Sequence, residues 1–173
     1  MGTRVSAWFE IGPWDEEALG ASEPGRALLD VIARLGMEEC EVRTSQVGDP
    51  PTTVCTMRAS DPECNYGTAF FEEQKIDKLA QAAGLWWAWG DEGSITWEAS
   101  YAVGSPSGKR WSFLGRYRNP SINAEELKKL QEHHGGNTEK AMADVLAHME
   151  LGRRSLAEWI VAGEPAEELA PVG

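Results

Sequence analysis

Residues 4–11 alternate in character. Val5, Ala7, Phe9 and Ile11 fall on one side of an extended chain, and Arg4, Ser6, Trp8 and Glu10 on the other. A strict period of two predicts a half-buried β-strand. Residues 13–25 are polar and small and read as a loop. The period then lengthens: Leu28, Leu29, Val31, Ile32 and Leu35 recur at helical spacing before Gly36, which predicts a helix over 26–35 with a glycine stop. Cys40, Val42 and Thr44 alternate again. A turn at Gly48-Asp49-Pro50-Pro51 leads to a third strand over 53–59. A long loop precedes a second helix over 70–83, with Phe71, Ile76, Leu79, Ala80 and Ala83 as its apolar positions and Gly84 as its end. Beyond it the period of two returns over 85–89, 94–103 and 109–118, with glycine-rich turns between.

The order β-α-β-β-α-β, followed by two more strands, predicts an α+β body over residues 1–119. The expected architecture is a ferredoxin-like antiparallel sheet with two helices on one face, extended by a β-hairpin. Pro120 breaks the pattern. Asn123, with Glu126 three residues on, has the form of a helix N-cap. Helices are predicted over about 124–134, 138–149 and 153–162, which makes 120–163 a C-terminal helical appendage. Residues 164–173 are small, acidic and proline-containing, and are expected to be flexible. A fold of this kind hosts many activities, so function has to be argued from particular residues.

Composition narrows the classes. An apolar share of 42% in 173 residues is enough for a real core. No run approaches the roughly 18 apolar residues of a bilayer span, and no membrane role is expected. The net charge of -12 opposes non-specific binding to nucleic acid and favours a basic protein partner. Three cysteines, an odd number, predict a reducing, cytoplasmic setting. Cys40 and Cys55 sit on strand patterns as expected core residues. Cys64 lies in an acidic loop that disfavours its thiolate.

The tail carries a local pattern. Gly135-Gly136-Asn137, Ala141, the run Leu151-Gly152-Arg153-Arg154-Ser155-Leu156 and Ile160 follow one another over residues 135–160. This segment resembles the C-terminal helix-turn-helix of Fis-type DNA-binding proteins. The resemblance implies that Asn137 caps a support helix and that Arg153, Arg154 and Ser155 open a recognition helix against phosphates or base edges. The segment between Asn137 and Gly152 is about four residues longer than in that family, and Ala157, Glu158 and Trp159 replace its basic and aromatic residues. Residues 120–173 also hold ten acids against five bases, unlike most DNA-reading modules. The alternative is an appendage whose Leu151, Leu156, Trp159 and Ile160 pack on the sheet.

A second candidate is the strand 109–118, which holds Lys109, Arg110, Arg116 and Arg118 together with Trp111, Phe113 and Tyr117 and no acid, with Trp111 and Phe113 on one face and Arg110 and Ser112 on the other. Aromatic faces beside cations suit single-stranded nucleic acid, whereas a plain reading makes the aromatics core. A third is the cluster Trp86, Trp87 and Trp89. Alternation sends Trp86 to one face and the other two to the opposite face. Either both faces are covered, or one is a protein-binding surface or borders a small-molecule pocket. No cofactor motif, metal-ligand spacing or catalytic constellation is present in the sequence. Three functions follow as expectations: nucleic-acid binding through the tail and the 109–118 strand, binding of a basic protein as an acidic inhibitor or DNA mimic, and small-molecule binding or catalysis near the tryptophan hairpin.

Overall fold

The computed structural model describes residues 6–61, 68–92, 100–116, 119–120 and 122–166. Six strands form one antiparallel sheet in the order β2-β3-β1-β4-β5-β6: β1 (Ser6–Gly12), β2 (Glu39–Val47), β3 (Thr52–Asp61), β4 (Trp86–Glu92), β5 (Ser100–Gly104) and β6 (Arg110–Arg116). A two-residue β7 (Asn119–Pro120) pairs onto β6. The arrangement is α+β with a C-terminal helical region, and the order β2-β3-β1-β4 is compatible with a ferredoxin-like plait. No helix among the described residues is long and apolar enough to cross a membrane.

Helices cover both faces of the sheet. The first face packs against α1 (Glu16–Gly20), α2 (Glu23–Leu35), α3 (Thr68–Glu73) and α4 (Ile76–Ala82). Ala7, Phe9, Ile11, Met57, Ala59, Trp87 and Trp89 meet Leu19, Leu28, Val31, Phe71 and Ile76 there. The tail helices α5 (Ala124–His133), α6 (Thr138–Gly152) and α7 (Leu156–Ala162) occupy the other side. There Trp8, Trp86, Ala88, Tyr101, Val103 and Phe113 meet Leu151, Leu156 and Trp159. β1 is therefore buried on both faces rather than on one, because it lies in the middle of a sheet sandwiched between two helical layers.

Two close contacts between an indole and a glycine are made across neighbouring strands of the sheet. A Cβ placed on Gly104 would lie 2.1 Å from the Trp87 ring, and one on Gly90 would lie 2.8 Å from the Trp8 ring. Each indole thus lies over a glycine on the neighbouring strand, which only a residue without a side chain permits.

Several expectations need correction. The expected loop 13–25 contains α1, capped by Asp15, and the start of α2, capped by Ser22. Pro24 stands in the first turn of α2, where a missing N–H costs nothing. The single helix over 70–83 is two helices, with Lys75 left-handed at φ 59° between them. Phe71 and Ile76 are five residues apart, roughly 140° around an unbroken helix. The break lets both side chains become fully buried. Cys40 is exposed and Cys55 only partly buried, because β2 is the outermost strand and neither helical layer reaches across its outer part. α6 runs on to Gly152 and α7 starts at Leu156, since Arg153 closes one helix and Ser155 caps the next. Cys64 lies outside the described residues.

Trp159 is fully buried against Trp86, Trp111 and Phe113, with ring centroids 6.3, 5.1 and 6.1 Å away. Trp159→Ala should cost about 3–5 kcal/mol of stability in urea titrations, the range for deleting a large buried aromatic. Leu146→Ala, at a position 66% exposed, should stay within about 0.5 kcal/mol.

Candidate functional site

The tail reaches the sheet through several specific contacts. Asn123 accepts from the Glu126 N–H at 2.8 Å and Asn137 from the Lys140 N–H at 3.1 Å, so both cap their helices as their positions imply. Gly135 and Gly136, at φ 63° and 85°, make the left-handed turn that folds α6 back on α5. Leu130, Ala141 and Val145 pack in the angle between these two helices. The Tyr101 hydroxyl donates to the Gly152 carbonyl, tying the end of α6 to β5. Beyond α7, the Glu164 carboxylate accepts from the Ser105 hydroxyl at 2.5 Å and from the Ser107 hydroxyl, with Lys109 Nζ 3.7 Å away. The two serine hydroxyls, then Lys109, hold the exposed Glu164 carboxyl below its ordinary pKa. Glu164 lies in the stretch expected to be flexible, yet it fastens the end of the tail to the β5–β6 turn. Residues 167–173 lie outside the described part.

These contacts place the sequence candidates. Trp86, Trp87 and Trp89 are all buried, Trp86 under the tail and the other two under the first helical layer, so none of these three offers a tryptophan surface. Trp111 and Phe113 share the tail face. Arg110 lies on the opposite face with its guanidinium 5.6 and 5.5 Å from the Trp87 and Trp89 rings. Arg116 ends β6 opposite Asn119, and Arg118 lies outside the described residues. Arg153 is exposed at the close of α6, and Arg154 rests 5.7 Å over the Trp159 ring. Ser155 forms a capping box with Glu158: its hydroxyl accepts from the Glu158 N–H at 3.2 Å while Glu158 Oε1 accepts from the Ser155 N–H at 3.4 Å. The Ser-x-x-Glu spacing signals that role in the sequence. Arg153 and Arg154 are thus grouped at the α6–α7 turn. Lys109 stands with Glu164, and Arg110 is on the other side of the sheet.

A cleft of about 390 Å³ opens on the tail face between β2 and the start of α7. Arg43, Ser45, Gln46 and Val47 form one wall, and Ser155, Ala157 and Glu158 the other. Glu10 and Thr56 line it from β1 and β3, exposed by only 4% and 1%. Glu10 is the unusual residue, a carboxylate within the central strand. Arg58 approaches it at 3.9 Å and stacks 4.3 Å over the Trp8 ring. Arg43 on the rim is bonded through Nε to Glu41 at 3.2 Å. The cleft lies away from the tryptophan hairpin, because the tail fills the space beside that hairpin. Glu10 and Glu158 come from opposite ends of the chain, so no local motif marks their meeting. Among the described residues no three His, Cys, Asp or Glu side chains converge as a metal-ion set.

One buried titratable group lies apart from the cleft. His148 on α6 is 3% exposed, with its ring 4.8 Å from Phe113. Neither ring nitrogen has a hydrogen-bond partner among the described residues. Burial pushes its pKa below 6.5, and the charge of Glu126 offsets this only in part.

No family model, curated protein or solved structure matches the chain.

The His148 environment sets a pH dependence. The unfolded chain takes up a proton near the ordinary histidine value, whereas the folded chain resists it. The stability from neutral His148 is therefore complete above about 6.5 and declines as pH falls through the depressed folded-state pKa. Urea midpoints measured from pH 8 to pH 5 should fall, and His148→Phe should flatten that slope while keeping the ring contact. An equal slope in the variant would assign the decline to groups other than His148.

Proposed function

We propose that this is a non-enzymatic binding protein whose β2–α7 cleft takes a small polar molecule bearing an amine or guanidinium group. The observation that carries this reading is the buried Glu10 carboxylate lining the cleft. A carboxylate removed from water is costly to keep charged and attracts a cation more strongly than one at the surface. Glu158 adds a second carboxylate on the α7 side. Thr56 and Ser45 supply hydroxyls to orient a polar ligand. Arg43, the cation among the lining residues, is already held by Glu41, and Arg58 pairs with Glu10 at 3.9 Å, so a ligand cation would share that carboxylate with it. The volume falls within the ~300–1,000 Å³ range of small-ligand pockets.

The test uses arginine and spermidine as cationic probes, with citrate and glucose as controls. A ligand at about a hundred times its Kd adds roughly 2.7 kcal/mol to stability, which a thermal melt detects. The cations should raise Tm, citrate and glucose should not, and Glu10→Gln should weaken cation binding at least about tenfold in calorimetry. Equal stabilisation by citrate, or unchanged binding in Glu10→Gln, would sink the proposal.

A second reading, nucleic-acid binding through the tail, is supported by the exposed Arg153 and its neighbour Arg154 at the α6–α7 turn. The contact would be made by this turn, since Leu156 and Trp159 are spent on the sheet. If it binds DNA, Arg153→Ala combined with Arg154→Ala should weaken mobility shifts and reduce the salt slope by about one unit per lost phosphate contact. Unchanged shifts with the fold intact remove the tail from consideration.

A further inference from the structure

β2 is the longest open edge of the sheet among the described residues. It pairs with β3 in unbroken register from Glu39 opposite Ser60 to Val47 opposite Thr52, and it ends the sheet. Sheets commonly blunt such an edge with charged side chains, lysine above all, or with proline, a bulge or a covering segment. β2 carries Glu39, Glu41 and Arg43 but no lysine or proline, and its register shows no bulge, so its charges repel a foreign strand unless that strand carries their complement. Residues 39–44 are all exposed, including Val42 at 57%.

The side chains of this edge match themselves. When two copies of β2 pair antiparallel about a twofold axis normal to the sheet, each face continues into the same face of the partner. Opposed residues must then share a face, so the axis falls on a residue rather than between two. With the axis on Val42, Glu41 of each copy lies opposite Arg43 of the other, twice over. Val42 meets Val42, and Cys40 meets Thr44. Moving the axis to Arg43 sets like charges against each other; moving it to Glu41 sets Arg43 opposite Glu39 on each side but at the cost of Glu41 facing Glu41 at the centre. Moving it to Thr44 leaves Glu41 facing Val47. Opposite charges directly across a ladder stabilise it and like charges destabilise it.

We infer that β2 is a homodimerisation edge, joining two copies into a continuous antiparallel sheet centred on Val42. The occupant is a second copy of this chain, because the Glu41-Val42-Arg43 triplet is complementary to its own reverse. The pairing also shields the exposed valine and satisfies the outward backbone groups of both edges. This interface shares Arg43 with the wall of the β2–α7 cleft, but its test reads association alone and stands whether or not the cleft takes a ligand.

The test is a charge swap read by sedimentation equilibrium. Wild-type protein should show a dimer population that rises with concentration. Glu41→Arg and Arg43→Glu should each raise the dissociation constant by about tenfold or more, because each sets two like-charged pairs across the axis. An equimolar mixture of the two variants should associate again. In that heterodimer the substituted position 41 of one chain faces the substituted position 43 of the other, with opposite charges. The native Arg43 of the first chain likewise faces the native Glu41 of the second. Each variant alone loses its internal Glu41–Arg43 bond, so recovery in the mixture can arise only between chains. Near-UV circular dichroism of each variant verifies that the body remains folded. A wild-type chain that stays monomeric at all concentrations overturns the inference, as does a dimer indifferent to both substitutions. Failure of the mixture to associate overturns the Val42-centred register.

Discussion

The seating of Trp159 on the sheet is the contact on which the rest of the arrangement depends. α7 is only seven residues long, and a helix of that length has no independent stability in water. It persists because Leu156 and Trp159 are buried among aromatic residues of β4 and β6. The capping box at Ser155 fixes where the helix starts, and the Tyr101–Gly152 bond fixes where α6 delivers it. Without this contact the second face of the sheet would expose Trp86, Trp111 and Phe113 together, and the α7 wall of the cleft would be lost.

Burial on both faces also explains the unusual aromatic content of β4. A strand at the centre of a sandwich needs apolar side chains at consecutive positions, and Trp86, Trp87, Ala88 and Trp89 supply them. The mixed charge around Glu10 is the counterpart of that apolar packing. Arg58 reaches the carboxylate while lying flat on Trp8, so the central strand carries a salt bridge beside the cleft and aromatic surface a few ångströms away.

Much of the fold is legible in the sequence because its signals are local. The alternation in 4–11, the glycine at 36 and the asparagines at 123 and 137 each act within a turn or a strand. The opposed placement of Trp111 and Phe113 against Arg110 and Ser112 follows from the pleat alone. The rest depends on what packs against what. Cys40, Val42 and Thr44 alternate like core residues, yet they lie on an edge where no helix reaches them. Phe71 and Ile76 fit a single helical stripe loosely, and only burial of both reveals the break at Lys75. Ser155 reads as a phosphate contact beside two arginines, but three residues later Glu158 turns it into a cap. The cleft leaves no local signal because its lining is assembled from β1, β2, β3 and α7, and the residues concerned are ordinary in their own neighbourhoods.

The indoles that lie over Gly90 and Gly104 carry an evolutionary consequence. Each pair occupies one shared volume, so neither member can drift alone. A chain that acquires a side chain at 104 must first give up the ring at 87, and the same holds for 90 and 8. Relatives of this protein, however diverged, should therefore change such positions together or keep them both. A bulky residue at one with a tryptophan at the other would mark a sheet whose strands are differently spaced.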